Sequence, residues 1–116
     1  MIKAYTTSGL LYAPTAAEAF LLGLIRGRES SYNYQATNPI STASGAYQFI
    51  NSTWGAAAMA TGVGGAYARA YLAPPIDQDY NALWLLRMSG PNSSFSWKAS
   101  GPYPTLSECE KAIVFA

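Results

Sequence analysis

The stretch GRESSYNYQATNPISTASGAYQFINSTW, residues 27–54, contains one acidic side chain, Glu29, and the next Asp or Glu along the chain is Asp77. A solitary carboxylate at the head of so many small, amide and aromatic residues marks a boundary. Upstream, TAAEAFLLGLIRGRES reads as a helix of about four turns. Thr15 and Glu18 form a capping-box signature and Pro14 sets the boundary before them. Phe20, Leu21, Leu22, Leu24 and Ile25 nearly ring this helix, the pattern of one buried at the centre of a domain. Glu29 lies four residues after Ile25 and seven after Leu22, on the same face and one turn further on, where the helix leaves the interior.

Downstream of Glu29 the composition turns to Ser, Asn, Tyr, Gln, Thr and Pro, with Asn38-Pro39 and Gly45 as turn signals. This segment reads as a loop or short hairpin, a polar lobe beside the helix end. INSTWGAAAMA restarts a helix with Asn51 or Ser52 as cap, TGVGG breaks it, and AYARAYL is expected to form another short helix. In APPIDQDYNALWLLRMSG the prolines stop what precedes, Asp77 and Asp79 serve as helix-start charges, and Ile76, Tyr80, Leu83, Trp84 and Arg87 follow helical spacing up to Gly90-Pro91. TLSECEKAIVFA closes the chain as a last helix. The expectation is a mainly α, α+β architecture: residues 1–116 as one small helical domain, with a loop or hairpin lobe flanking a cleft.

Composition removes several function classes. Only 11% of residues are charged and the net charge is +1, so no basic stripe exists to neutralise phosphates and nucleic acid is not an expected partner. No apolar run reaches the roughly 18 residues that span a bilayer, and MIKAYTTSGLLYAP is too weak for a signal-peptide core. With no His and a single Cys109, an ordinary structural zinc site, a Ser-His-Asp triad and a Cys-His pair are all excluded, as is an internal disulfide. No metal or cofactor is expected, and Cys109 reads as a passive thiol.

An acidic residue at a helix end is commonly solvated or paired, and Arg26 and Arg28 stand close to Glu29. The chemical alternative is specific. A carboxyl walled by apolar groups has its ionised form disfavoured and can hold a proton near neutral pH, as a general acid for a glycosidic oxygen must. The Ser, Asn, Gln and Tyr residues that follow suit sugar hydroxyls and acetamido groups, and their aromatic faces suit pyranose rings. They are also ordinary loop residues.

The run Gln48-Phe49-Ile50-Asn51-Ser52-Thr53-Trp54 resembles the Gln-Phe-x-x-Ser-Thr-Trp segment of resuscitation-promoting-factor domains, and Glu29-Ser30-Ser31 resembles the Glu-Ser-Ser of soluble lytic transglycosylases. Both belong to the lysozyme-like superfamily, which places its catalytic Glu at a helix end shortly before a Gly-containing segment ending in Gln, here Gly45-Ala46-Tyr47-Gln48. APPIDQDYNALWLL and SWKAS resemble the later helix and closing Trp segment of the resuscitation factors, so the likeness covers about residues 15–100. By this resemblance Glu29 matches the catalytic acid, Gln48 and Thr53 match cleft residues, and Trp54 matches an aromatic that shapes the cleft or packs beneath it, with packing favoured. Ser31, Asn33, Tyr34 and Tyr47 are further substrate-binding candidates by location and chemical type. Arg28 and Ser100 stand where the resuscitation factors tend to carry a bridging cysteine pair, which leaves the fold without that staple. The lytic-transglycosylase Ala-Tyr-Asn-Ala-Gly motif is absent.

Two-carboxylate glycosidases need a second acid across the scissile bond, and the lobe between Glu29 and Asp77 has none. A single acid suffices when it first protonates the leaving oxygen and then acts as base. The resemblance therefore implies cleavage of the MurNAc–GlcNAc bond of peptidoglycan, with attack by the muramic acid C6 hydroxyl to give 1,6-anhydro ends. Attack by water would make the chain a hydrolytic muramidase, with Ser31, Asn33, Gln48 and Thr53 as candidates to position it. The expected partner is the glycan strand, met by a monomer at the bacterial cell wall, in the periplasm, outside the cell or from a bacteriophage virion. Two readings from other classes stay open: a glycan-binding module without turnover, and a structural phage or wall-assembly component.

Overall fold

The capping box forms as the residues dictate. Thr15 Oγ1 accepts from the Glu18 N–H at 3.1 Å, Glu18 Oε1 accepts from the Thr15 N–H at 2.8 Å, and α1 runs from Ala16 to Ser30. The computed structural model describes residues 3–89, 97 and 102–115, with the backbone alone at 114 and 115. The chain continues as β1 (Ala4–Tyr5) and β2 (Leu11–Tyr12) before α1, then α2 (Asn51–Thr61), α3 (Pro75–Met88) and α4 (Leu106–Phe115). The described residues are thus mainly helical with a two-stranded antiparallel sheet, Ala4 opposite Tyr12 and Tyr5 opposite Leu11.

The α1 helix packs against α4 and α3, and α2 packs on α3. Leu21, Leu22 and Ile25 are wholly buried, each contributing roughly 1.5–3 kcal/mol relative to an exposed side chain. The expectation that apolar residues ring a central helix is corrected here, because Phe20 is 46% and Leu24 38% exposed. The helices cover one face of α1 and leave the other to solvent.

At its C-terminus α1 ends in a Schellman arrangement. Ser31 and Tyr32 take left-handed φ of 54° and 66°, and their N–H groups return to the carbonyls of Gly27 and Arg26. The turn folds the Tyr32 ring onto Gly27, where a Cβ would lie 2.7 Å from the Tyr32 hydroxyl. The chain then enters the lobe, whose pairing is minimal: single bridges join Thr37 to Ser44 and Ser44 to Phe49. Between the last two partners lies the tight turn Gly45–Gln48, with Gly45 at φ 80° and Gln48 at φ 54°.

The lobe is stitched to α3 by a buried amide. Gln78 Oε1 accepts from the Ala46 N–H at 3.0 Å, and its Nε2 donates to the carbonyls of Tyr34 at 3.0 Å and Ala73 at 2.9 Å. A Cβ on Gly45 would collide with that amide, so glycine is required there by both its φ and its neighbour. Asn81 does similar work one turn on, donating to the Val63 carbonyl and accepting from the Thr61 hydroxyl. The inward face of α3 therefore carries Asp77, Gln78 and Asn81, while Ile76, Tyr80 and Trp84 of the expected apolar stripe are only half-buried.

Other local expectations are corrected by contacts from afar. No side chain of Asn51 or Ser52 caps α2; Thr42 Oγ1 reaches across the lobe to accept from the Asn51 N–H at 3.0 Å. AYARAYL forms only a 3-10 turn at Ala70–Leu72. Asp77 is completely buried and accepts from the Thr7 N–H and hydroxyl at 3.0 and 2.6 Å, anchoring the N-terminal hairpin to α3. The helix stop at Gly90-Pro91, the position of Ser100, and all of SWKAS except Trp97 lie outside the described residues. Cys109 is buried in α4, where burial pushes its thiol up.

Candidate active site

Glu29 occupies the last turn of α1 and is half-buried. Arg26 and Arg28, the nearest cations in sequence, are engaged elsewhere. Arg26 donates to the Tyr47 hydroxyl at 2.7 Å and lies 3.8 Å from Asp79. Arg28 donates to the Pro102 carbonyl at 2.5 Å and stacks over the Tyr103 ring at 4.3 Å from its centroid. The Tyr103 hydroxyl in turn donates to Glu29 Oε2 at 2.8 Å. Sequence offers no signal for this bond between residues so far apart.

Ser30, next to Glu29, donates to the buried carbonyl of Ala46 at 2.8 Å and accepts from the Asn33 N–H at 3.1 Å. The helix end is thereby joined directly to the Gly45–Gln48 turn. Gln48 Nε2 donates to the Gly45 carbonyl at 3.1 Å, and Gln48 takes a left-handed backbone, uncommon for a non-glycine residue, at the close of the turn. Gln48 and Thr53 line one recess of about 150 Å³ with Phe49, Ile50, Leu85 and Trp97. Trp97 is fixed there by its ring N–H, which donates to the Tyr47 carbonyl at 2.9 Å.

The remaining site candidates separate. Asn33 and Tyr34 line a different groove, of about 440 Å³, facing Tyr71 and Pro74. Ser31 is exposed at the cap of α1. Tyr47 does not line a cleft and is corrected to an interior residue; Trp54 packs in the interior, the favoured of its two readings, and is not a cleft-lining ring. Tyr47 is wholly enclosed, its ring meeting Tyr34, Phe49 and Trp97 edge-on or tilted. Trp54 stacks edge-to-face on Phe49 and donates its ring N–H to the Tyr67 carbonyl. Its indole also presses on Gly64, where a Cβ would lie 2.5 Å away.

Set against protein-family models, curated proteins and solved structures, the chain matches none of them.

The six carboxylates of the chain divide sharply by environment. Glu18 is buried and gripped by Arg87 at 2.7 and 2.8 Å, whose hydrogen bonds hold its carboxyl below the ordinary range against the effect of burial. Asp77 holds Thr7, and Glu108 caps α4 with Thr105. Asp79 Oδ1 accepts from Tyr47 at 2.5 Å and Tyr34 at 2.8 Å. Burial pushes the Asp79 carboxyl up while those hydroxyls and Arg26 oppose the shift. The same cluster pushes the Tyr34 phenol up to about 12, burial being the main cause. Asp77 does sit in the first turn of α3, as expected of a helix-start charge, but it is buried and holds Thr7, while the half-buried Asp79 is tied to Tyr34, Tyr47 and Arg26. Glu110 is exposed on α4, remote in sequence from the lobe.

Among the described residues no group of three His, Cys, Asp or Glu could hold a metal ion, and no helix is long and apolar enough to cross a membrane. A third groove of about 390 Å³ between the hairpin, α2 and α3 is lined by Leu11, Tyr80, Trp84 and Met88. Its charged group, Arg87, is already bound to Glu18.

Proposed function

We propose that the chain is a lysozyme-like peptidoglycan glycosidase in which Glu29 is the single general acid and base. The observation that carries this reading is the distribution of carboxylates. Glu18, Asp77, Asp79 and Glu108 are each held by structural partners and Glu110 is exposed on α4, whereas Glu29, which accepts from Tyr103, stands at a helix end joined through Ser30 to the turn that presents Gln48. Gln48 and Thr53 share one recess, which supports the resemblance of Gln48–Trp54 to the cleft segment of resuscitation factors.

The mechanism follows from one carboxyl doing two jobs. Glu29 protonates the glycosidic oxygen as the C1–O bond of MurNAc breaks, and the departing GlcNAc keeps that proton on its 4-hydroxyl. The resulting carboxylate then takes the proton of the muramic C6 hydroxyl as its oxygen bonds to C1, closing a 1,6-anhydro ring. The Asp79 carboxylate is taken up by Tyr34, Tyr47 and Arg26, and the lobe between Glu29 and Asp77 carries no acid, which favours the intramolecular nucleophile. Asn33, Gln35, Tyr34 and Tyr71 line the separate groove and supply amide and ring surfaces of the kind a glycan strand can use.

Purified protein incubated with peptidoglycan, followed by mass analysis of released fragments, tests the reading. Fragments ending in 1,6-anhydro-MurNAc, lighter than reducing ends by one water, are the expected product. Reducing ends alone would make the chain a hydrolytic muramidase. Intact glycan would reject the enzyme and leave a binding or structural role.

A further inference from the structure

We infer that Tyr103 is a positioning residue for Glu29 and that Arg28 holds Tyr103 in place, so the segment around residues 102–103 is a working part of the site. The inference rests on the glycosidase reading above. Three contacts carry it, and they interlock: Tyr103 Oη to Glu29 Oε2 at 2.8 Å, the Arg28 guanidinium 4.3 Å from the Tyr103 ring centroid, and Arg28 Nη1 to the Pro102 carbonyl at 2.5 Å.

The arrangement has one geometric consequence and one electrostatic one. A carboxyl at a helix end can rotate, and either oxygen can carry its proton. Donation from Tyr103 occupies Oε2, which stops the rotation and assigns the transferable proton to Oε1. After that proton has gone to the leaving oxygen, the hydroxyl donates to a full carboxylate, and this charge-assisted bond steadies Glu29 for its second task as base. Burial and the neighbouring Glu29 push the Tyr103 phenol up, so it stays a donor across the range where a glycosidase works.

Arg28 supplies what the tyrosine lacks. Tyr103 follows Pro102 in a stretch with no regular secondary structure, and Arg28 grips both the ring face and the preceding carbonyl from the last turn of α1. Arg28 and Glu29 are sequence neighbours, so the clamp and the acid are carried by the same turn.

The test compares wild type with Tyr103→Phe, Arg28→Ala and Arg28→Lys, reading kcat, KM and melting temperature on soluble peptidoglycan strands. Tyr103→Phe keeps the ring beneath Arg28 and removes only the hydroxyl. Its kcat is expected to fall at least about tenfold with KM within about twofold, because the lost contact acts on the reacting group and not on the bound strand. Arg28→Ala should lower kcat in the same way, and Arg28→Lys should recover part of it by restoring a cation over the ring. A Tyr103→Phe kcat within about twofold of wild type, or a loss confined to KM, overturns the inference while the glycosidase reading stands. A wild type that cleaves nothing overturns both.

Discussion

The Ser30 hydroxyl meets the carbonyl of Ala46 at 2.8 Å, tying the helix turn that carries Glu29 to the tight turn that carries Gln48. Ser30→Ala leaves a buried carbonyl without this donor and is expected to cost about 1–2 kcal/mol of stability. Because the helix end that carries Glu29 then loses its tie to the lobe, the proposed turnover should fall by more than the melting temperature suggests. Assays well below the melting transition check this; an unchanged kcat would make Ser30 purely structural.

Gln48→Ala and Thr53→Ala should weaken turnover while leaving thermal melts nearly unchanged, since both side chains border the recess beside Trp97 and neither is fully buried. Trp54→Ala should do the reverse, costing on the order of 3–5 kcal/mol as large enclosed aromatics do. A stable Trp54→Ala that had lost glycan affinity would contradict its place in the core.

Asp79 distinguishes a buried charge from a buried acceptor. Its carboxyl is pushed up by burial, so its folded value lies above its unfolded one. The stability it adds is full below the unfolded value and is lost as pH rises through the folded value. Asp79→Asn keeps an acceptor for Tyr34 and Tyr47 and should lie within about 1 kcal/mol of wild type at neutral pH or above it, with wild type gaining on it as pH falls. Asp79→Ala strands both hydroxyls and Arg26 and should cost about 3 kcal/mol or more. A folded Asp79→Asn without turnover would make Asp79 a second catalytic carboxylate.

Glu18 has the opposite sign. Hydrogen bonds from Arg87 place its folded value below its unfolded one, so its contribution is present above the unfolded value and is lost as pH falls through the folded value. Glu18→Gln is expected to cost about 1–2 kcal/mol near pH 7, the half-exposed Arg87 keeping the figure modest. Melts repeated at about pH 3 should show the gap closing. A constant gap across that range would assign the loss to packing.

Features written in neighbouring residues were legible: the Thr15–Glu18 box, the Gly62 break, the loop after Glu29 and the short helix near the C-terminus. Features that depend on a distant partner were not. Two-residue strands carry no period, so the N-terminal hairpin and its anchor on Asp77 had no signal. Gln78 and Asn81 look like surface residues of α3 until the carbonyls they satisfy fold over them. Tyr47 reads as a sugar platform beside Gln48, yet its aromatic ring fills the space between α1, α3 and the lobe and its hydroxyl finds Asp79. Glu29 stood out because its surroundings lack other acids, a property of the sequence itself.

The single-acid claim is tested most directly by turnover of Glu29→Gln on peptidoglycan beside wild type, with melting and glycan binding measured on the same samples. The amide keeps the size of the side chain and an acceptor for Tyr103 but cannot give and recover a proton. Cleavage should fall at least about a hundredfold while the fold and strand affinity stay close to wild type. Cleavage retained near the wild-type rate would contradict the assignment of Glu29 as the catalytic acid.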